Sequence, residues 1–277
     1  MTKHTSCAAD GSWERLDGLE DHAKVNIASQ LLAFEKSFRL TYEAGVIIPV
    51  LRANGKAILD VQCGALFFKR VLNDLRAVRV LLHCGYTSQA AAVAASLYEN
   101  ALAAVCLLSS PANSDILMKS QSGELPWKII DMAKMVVGYE GKAPGSKEFE
   151  NQWRALYAQY AWLCQCKHPT MQTVIHDTTA TALPKGYVIM ALPNTRDQDL
   201  PYKAMIAINS LVRAHETIQA FSSALGYRDS LPLDYQFSER FTRAKESAWD
   251  AYSPFLKAQN PISIERNWFV KKYSPVR

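Results

Sequence analysis

The stretch GYTSQAAAVAASLYENALAAVCLL, residues 85–108, consists almost entirely of small and apolar side chains. Alanine is the strongest helix former, so the stretch predicts a helix that neighbouring helices can approach closely. Ser96, Glu99 and Asn100 interrupt its apolar run, which therefore falls short of the roughly 18 residues needed to span a bilayer. We interpret it as the core helix of a bundle and expect no membrane partner.

Apolar residues at helical spacing predict further helices on both sides of this stretch. The predicted helices lie within residues 21–53, 56–84, 87–108, 123–136, 147–168, 200–225 and 234–256. Gly85 is expected to end the second helix, and Thr87 or Ser88 to cap the third. Pro49 should kink or end the first helix, and Pro169 should end the fifth.

Two segments do not follow the helical pattern. Within residues 170–195, the β-branched and aromatic runs TVIHDTT and GYVIMAL predict a β-hairpin. Residues 257–277, with prolines and scattered aromatics, predict an extended C-terminal tail. We therefore predict a single all-α domain over residues 1–277, a bundle of about six to seven helices with its core at about 21–256 and a small β-hairpin insertion.

Composition limits the classes of function. The 277 residues are 49% hydrophobic and 21% charged, which is typical of a globular protein rather than a disordered one. The net charge of +5 comes from scattered lysines and arginines and does not indicate nucleic-acid binding by itself. The N-terminus lacks the apolar segment of a signal peptide, and the six cysteines lie mostly in helix-like segments. We expect a cytoplasmic protein. No phosphate-binding glycine loop, dinucleotide fingerprint, zinc-protease motif or serine-nucleophile elbow is present.

Glu99 is out of place among its helical neighbours. The residues that share its face are small or apolar: Ala92, Ala95, Ser96, Leu102, Ala103 and Cys106. An unpaired buried carboxylate costs several kcal/mol. We therefore expect Glu99 to be mostly buried and bonded to an Arg, His or Tyr, with Arg70, Arg76 and Arg79 of the preceding helix as candidates. Both a functional carboxylate and a structural pair remain open.

Arg76, Arg79 and His83 share one stripe of the helix before Gly85. The stripe is either the solvent face of an amphipathic helix or part of a site. The Arg76–His83 spacing resembles the HEPN superfamily of helical ribonucleases, although Ala77 replaces the usual polar residue after the arginine. The resemblance implies a metal-independent ribonuclease acting as a homodimer. His83 or His168 would then be the acid–base, and Arg76 would stabilise phosphate charge.

The stretch WLCQCKHPT, residues 162–170, holds two cysteines and a histidine. Cys164 and Cys166 would point about 200° apart on a helix, so they cannot chelate one metal together. We predict no metal, neither here nor with His176. Cys164 and His168 do share a face, which suits a Cys–His nucleophile pair. The alternative is a core cysteine followed by a histidine that caps the end of the helix.

The segments KRVLNDLRAVRVLLHCGYTSQAAAVAASLYENAL (69–102) and LYAQYAWLCQCKHPT (156–170) resemble the bacterial domain-of-unknown-function family five-six-seven-seven. The matching positions are Arg70, Asp74, Gly85, Glu99, Tyr157, His168, Pro169 and Thr170. The resemblance covers roughly residues 60–175 and implies that the KHPT corner and Glu99 converge in one pocket. Ala95 stands where similar sequences often carry an arginine.

Two functions remain open at this point. The first is an interaction, regulatory or small-ligand-binding protein with a polar cluster inside the bundle, linked to bacterial stress or defence. The second is a HEPN-like ribonuclease. The candidate catalytic residues are Arg76, His83 and His168. The candidate binding residues are Arg70, Asp74, Glu99, Tyr157 and Tyr160. No cofactor is predicted, and the candidate partners are a second copy, RNA or a small ligand. A metal-dependent hydrolase lacks a clear set of ligands.

Overall fold

The computed structural model describes residues 12–47, 59–120, 124–167, 182–183, 186–187, 193–225 and 232–257. Within them the α-helices are α1 Ser12–Gln30, α2 Leu32–Ile47, α3 Leu59–His83, α4 Thr87–Ser109, α5 Pro111–Lys119, α6 Ile129–Tyr139, α7 Lys147–Lys167, α8 Leu200–Ala224 and α9 Pro232–Lys257. A 3-10 turn, Asp197–Asp199, precedes α8. The predicted all-α class is confirmed. The described ranges hold nine α-helices, where the sequence predicts six or seven.

Two very short strands occur in the region of the predicted hairpin. They are β1 Ala182–Leu183 and β2 Gly186–Tyr187, and they pair antiparallel with Ala182 opposite Tyr187. Most of residues 170–195 lies outside the described residues, so the hairpin over that range stays a prediction. The predicted tail at 257–277 and the effect of Pro49 also lie outside them.

The two additional helices have separate causes. The first predicted helix is divided at Leu31, which is fully buried and whose carbonyl accepts from both Phe34 and Glu35. Helix α5 is not among the predicted helices, because the serines, proline and asparagine of SSPANS (109–114) are typical of a break between helices. There Ser110 accepts a hydrogen bond from the Ala112 amide at 3.3 Å. Proline in the first helical turn after a serine cap is a helix start signal, not only a stop.

Helix α4 is the centre of the bundle and packs against α3, α6, α7 and α8. Its alanines are buried on several faces, as Ala90, Ala91 and Ala103 show. Although Ser96, Glu99 and Asn100 interrupt its apolar run, α4 is long and apolar enough to cross a membrane, contrary to the expectation from the sequence. No other helix of the described segments is. However, 78% of its apolar window is buried inside the protein. This is the environment of a core helix, and the predicted absence of a membrane partner stays a prediction.

Helices α3 and α4 form an antiparallel hairpin. The turn passes through Gly85 at φ +82°, a conformation that favours glycine. Further along, Asp74 of α3 accepts a hydrogen bond from Ser96 of α4 at 3.0 Å. Near the far end, a side chain at Gly64 would approach the Ala104 carbonyl to 3.2 Å. The pair is therefore in contact along most of its length.

Helix α2 runs antiparallel to α3 on the side that α4 does not cover. Glu35 near the start of α2 binds Arg79 near the end of α3. Gly45 near the end of α2 lies against Leu72, where an added Cβ would come within 2.5 Å of a leucine methyl group. The two helices are therefore in close contact at the Gly45 end of α2, and the cleft described next lies between the same two helices.

Candidate functional site

The described residues form a cleft of about 430 Å³ between α2 and α3. It is lined by Glu35, Phe38, Arg39, Tyr42, Glu43, Leu75, Arg76 and Arg79. Members from α2 recur every three or four residues, so they share one face of that helix. The volume lies in the range of small-molecule sites, which are mostly apolar with a few charged or polar groups.

The apolar part of the cleft belongs to the hydrophobic core. Phe38 is 2% exposed and Leu75 is 1% exposed, so both are fixed in the core that joins the two helices. Tyr42 is half-buried and packs against the same core. These side chains give the cleft a hydrophobic floor between charged groups.

One end of the cleft is closed by a network around Glu35. Arg79 donates from Nε and Nη2 to the two carboxylate oxygens at 2.7 and 2.6 Å. His83 Nε2 lies 3.0 Å from Glu35 Oε2, and His83 Nδ1 lies 3.1 Å from the Arg79 carbonyl oxygen. The hydrogen bonds from Arg79 lower the pKa of Glu35. Burial lowers the pKa of His83, and the charge of Glu35 opposes this shift.

The other charged groups of the cleft have no partner among the described residues. Arg39 and Arg76 are exposed, and Glu43 is half-buried. In the part of the chain that the structure describes, none of the three has a hydrogen bond or an ion pair. Arg39 contributes only a longer-range attraction to Glu35. The cleft thus offers two guanidinium groups and one carboxylate to a ligand.

Glu99 lies in a second cluster, between α4 and α7. Tyr160 donates to Glu99 Oε1 at 2.7 Å, a bond of the predicted kind. Glu99 is half-buried rather than mostly buried. Burial, the contact with Cys164 and the bond to Glu99 raise the pKa of the Tyr160 hydroxyl. Tyr157 lies beside it, with the two ring centres 6.4 Å apart.

Asp74 joins α3 to α4 rather than lining a pocket with Glu99. It accepts hydrogen bonds from Ser96 at 3.0 Å and Asn100 at 3.2 Å. Burial raises its pKa, and these hydrogen bonds oppose the shift. Arg70, one turn before it, is exposed and attracts the Asp74 carboxylate only weakly. Both residues therefore fit a structural role at the contact between the two helices.

The predicted site residues thus fall into separate groups. Arg76 and His83 of α3 lie toward α2. Glu99 of α4 is bonded to Tyr160 of α7, which lies beside Tyr157. Arg79, a candidate partner of Glu99, is bound to Glu35 instead. His168 lies outside the described residues, directly after the end of α7 at Lys167. The predicted pocket of His168 with Glu99 stays a prediction.

Sequence reasoning missed the α2 side of the cleft. Glu35, Arg39 and Glu43 follow one another at i, i+4 and i+8, so alternating charges run along one helix face. Such a stripe normally indicates a solvated surface. The signal was present, but only the packing of α2 on α3 turns it into the wall of a cleft.

A metal site is not apparent among the residues described. No group of three or more His, Cys, Asp or Glu side chains there is close enough to hold an ion. The side chains of Cys166, His168 and His176, where the sequence analysis predicts no metal, lie outside the described residues, so that prediction is untested.

Comparison with known proteins adds no relative. No protein-family model matches the chain, no curated protein matches it, and no solved structure matches it. The resemblances to the HEPN superfamily and to the domain-of-unknown-function family therefore stay predictions, and the function must be argued from the cleft itself.

Proposed function

We propose that the protein binds a small ligand with an anionic group in the α2–α3 cleft. The observation that carries the proposal is a pair of guanidinium groups, Arg39 and Arg76, which lie on opposite walls of one 430 Å³ cleft and have no partner among the described residues. Guanidinium groups bind carboxylate or phosphate through paired, charge-assisted hydrogen bonds. An apolar floor of Phe38 and Leu75 suits a ligand with a hydrophobic body.

The electrostatics of the cleft support an anion. Three arginines and two glutamates line it, and Arg79 is already neutralised by Glu35. Arg39 and Arg76 carry like charges and line the same cleft, so they repel each other. An anion placed there would remove this repulsion and gain two charge-assisted contacts. The network at Glu35 would hold that end of the cleft in place before binding.

The test uses two simple aromatic anions, 3-phenylpropionate and phenyl phosphate, in isothermal titration calorimetry. We expect saturable binding of at least one of them, weakened tenfold or more by Arg76→Gln and by Arg39→Gln. Arg70→Gln is the matched control, because Arg70 is exposed on the same helix but does not line the cleft. Absence of binding, or equal effects of all three substitutions, would overturn the proposal.

A ribonuclease is the second candidate. Arg76 lines the cleft and His83 stands beside its Glu35 end, which is the arrangement that favours it. Against it, both ring nitrogens of His83 face protein oxygen atoms, which leaves neither free for proton transfer to a substrate.

This candidate is tested with RNA and a mass measurement in solution. A ribonuclease should degrade single-stranded RNA without added metal, lose that activity in His83→Ala with the fold preserved, and have the mass of a dimer. A monomer without cleavage would eliminate it. The proposed links to stress or defence and the cytoplasmic location are expectations from the sequence.

A further inference from the structure

We propose that the ligand of the α2–α3 cleft is a zwitterion of the amino-acid class with an apolar side chain. The inference rests on the proposed function and adds a second charge to it. Its carboxylate would bind Arg39 and Arg76, its ammonium group would bind Glu43, and its side chain would lie on the apolar floor.

Glu43 supplies a carboxylate that could bind the ammonium group of a ligand. It lies four residues after Arg39 on α2, a spacing at which an arginine and a glutamate can pair. No such ion pair forms, and Glu43 has no hydrogen bond to any other described residue. A half-buried carboxylate without a partner loses part of its hydration, which a ligand cation or N–H donor would restore.

The charged side chains follow a definite order along the cleft. Because α2 and α3 are antiparallel and Glu35 meets Arg79, Arg39 lies about one turn further along, at the level of Arg76. Glu43 lies a further turn on, about 6 Å along the helix axis. A compact zwitterion can therefore contact both the arginines and Glu43, because the flexible arginine side chains can shorten the distance that it must span.

The cleft disfavours ligands that carry only one kind of charge. A ligand that is only an anion leaves Glu43 unpaired and close to a second negative charge. A ligand that is only a cation would leave Arg39 and Arg76 unpaired and would lie close to their positive charges. A zwitterion satisfies both, so the cleft discriminates by pairing as well as by shape.

The experiment compares three molecules with the same aromatic ring: L-phenylalanine, 3-phenylpropionate without the amine, and 2-phenylethylamine without the carboxylate. Each is titrated into the full chain and into Glu43→Gln. We expect phenylalanine to bind at least tenfold more tightly than 3-phenylpropionate, and the amine to bind not at all. In Glu43→Gln the advantage of phenylalanine should fall to less than threefold, while binding of 3-phenylpropionate stays the same or improves.

The outcomes separate the two proposals. If 3-phenylpropionate and phenylalanine bind equally to the unchanged protein, the cleft takes anions and the zwitterion is wrong. If neither of these binds but phenyl phosphate does, the zwitterion alone is wrong; if phenyl phosphate does not bind either, the proposed function fails as well. A preference for phenylalanine that survives in Glu43→Gln would also overturn the inference, because another group would then hold the amine. Circular dichroism of the variant confirms that its fold is kept.

Discussion

Single residues of one type have different roles in this protein because of their partners. Arg76 and Arg79 are three positions apart on one stripe, and the sequence assigns both to the same surface. Arg79 is held by Glu35, 44 residues earlier in the chain, whereas Arg76 is exposed. The stripe can be predicted from spacing alone. The partner cannot, because only tertiary packing brings Glu35 opposite Arg79.

The Glu35–Arg79 pair should contribute to stability in a pH-dependent way. We expect Arg79→Gln to lower the free energy of unfolding by about 1 kcal/mol at pH 7, since the pair is bidentate but one third exposed. The folded state lowers the pKa of Glu35, so its contribution is complete above the ordinary glutamate pKa. It is lost as the pH falls through the lowered value. Urea denaturation at pH 7 and about pH 3 should show the difference and then its loss.

The control for this experiment is Arg243→Gln. Arg243 pairs with Glu239 on α9, but the two side chains are 64% and 42% exposed and four residues apart. An exposed helical pair of this kind contributes about 0.3–0.5 kcal/mol. Equal losses in both variants would show that the cleft pair is no stronger than an ordinary surface pair.

At the level of elements, the sequence predicts long helices better than their junctions. The predicted ends of α7 and α8 lie within one residue of the observed ones, because Pro169 and clear periodicity mark them. The break at Leu31 is not marked by glycine or proline, so it follows from packing and could not be predicted. Helix α5 could have been predicted, since Ser110 and Pro111 form a start signal.

The turn between α3 and α4 should be the junction least tolerant of change. In Gly85→Ala the new Cβ would lie 2.8 Å from the Asn194 amide nitrogen and 2.9 Å from Pro193 Cβ, at φ +82°. The neighbouring chain is backbone and proline, which cannot move aside cheaply. We expect the substitution to lower the free energy of unfolding by at least about 2 kcal/mol.

Gly141→Ala separates strain from collision. Gly141 has nearly the same φ, +84°, but nothing lies within 4 Å of its added Cβ. Backbone strain alone should cost about 1 kcal/mol there. Both variants are compared by urea denaturation. If they lose equal stability, the contact of Gly85 with residues 193–194 is not important for the fold.

For the whole molecule, the all-α class and the central α4 follow from the sequence, whereas the candidate site does not. From the sequence, the arginines of α3 are candidate partners for Glu99 of α4. Helix α4 instead separates contacts made toward α7 from those that α3 makes toward α2. Periodicity tells which residues share a helix face, but not which helix covers that face. The cleft therefore emerged only from the arrangement of α2 on α3.

Acid should destabilise the whole bundle through His215, which joins three helices. On α8, its Nε2 lies 2.7 Å from Thr41 Oγ1 of α2, and the ring meets Phe241 of α9 edge-on. Burial, with a smaller effect of Lys245, lowers the pKa of His215 to about 4.

An unfolded histidine titrates at about 6.5, so between these values only the unfolded chain takes up the proton. The free energy of unfolding should therefore fall by about 2 kcal/mol from pH 7 to about pH 4.5. In His215→Gln, which keeps an amide for Thr41, this pH dependence should flatten more than in His83→Gln. Urea denaturation across this range measures it, and an unchanged slope in His215→Gln would show that other groups cause the acid sensitivity.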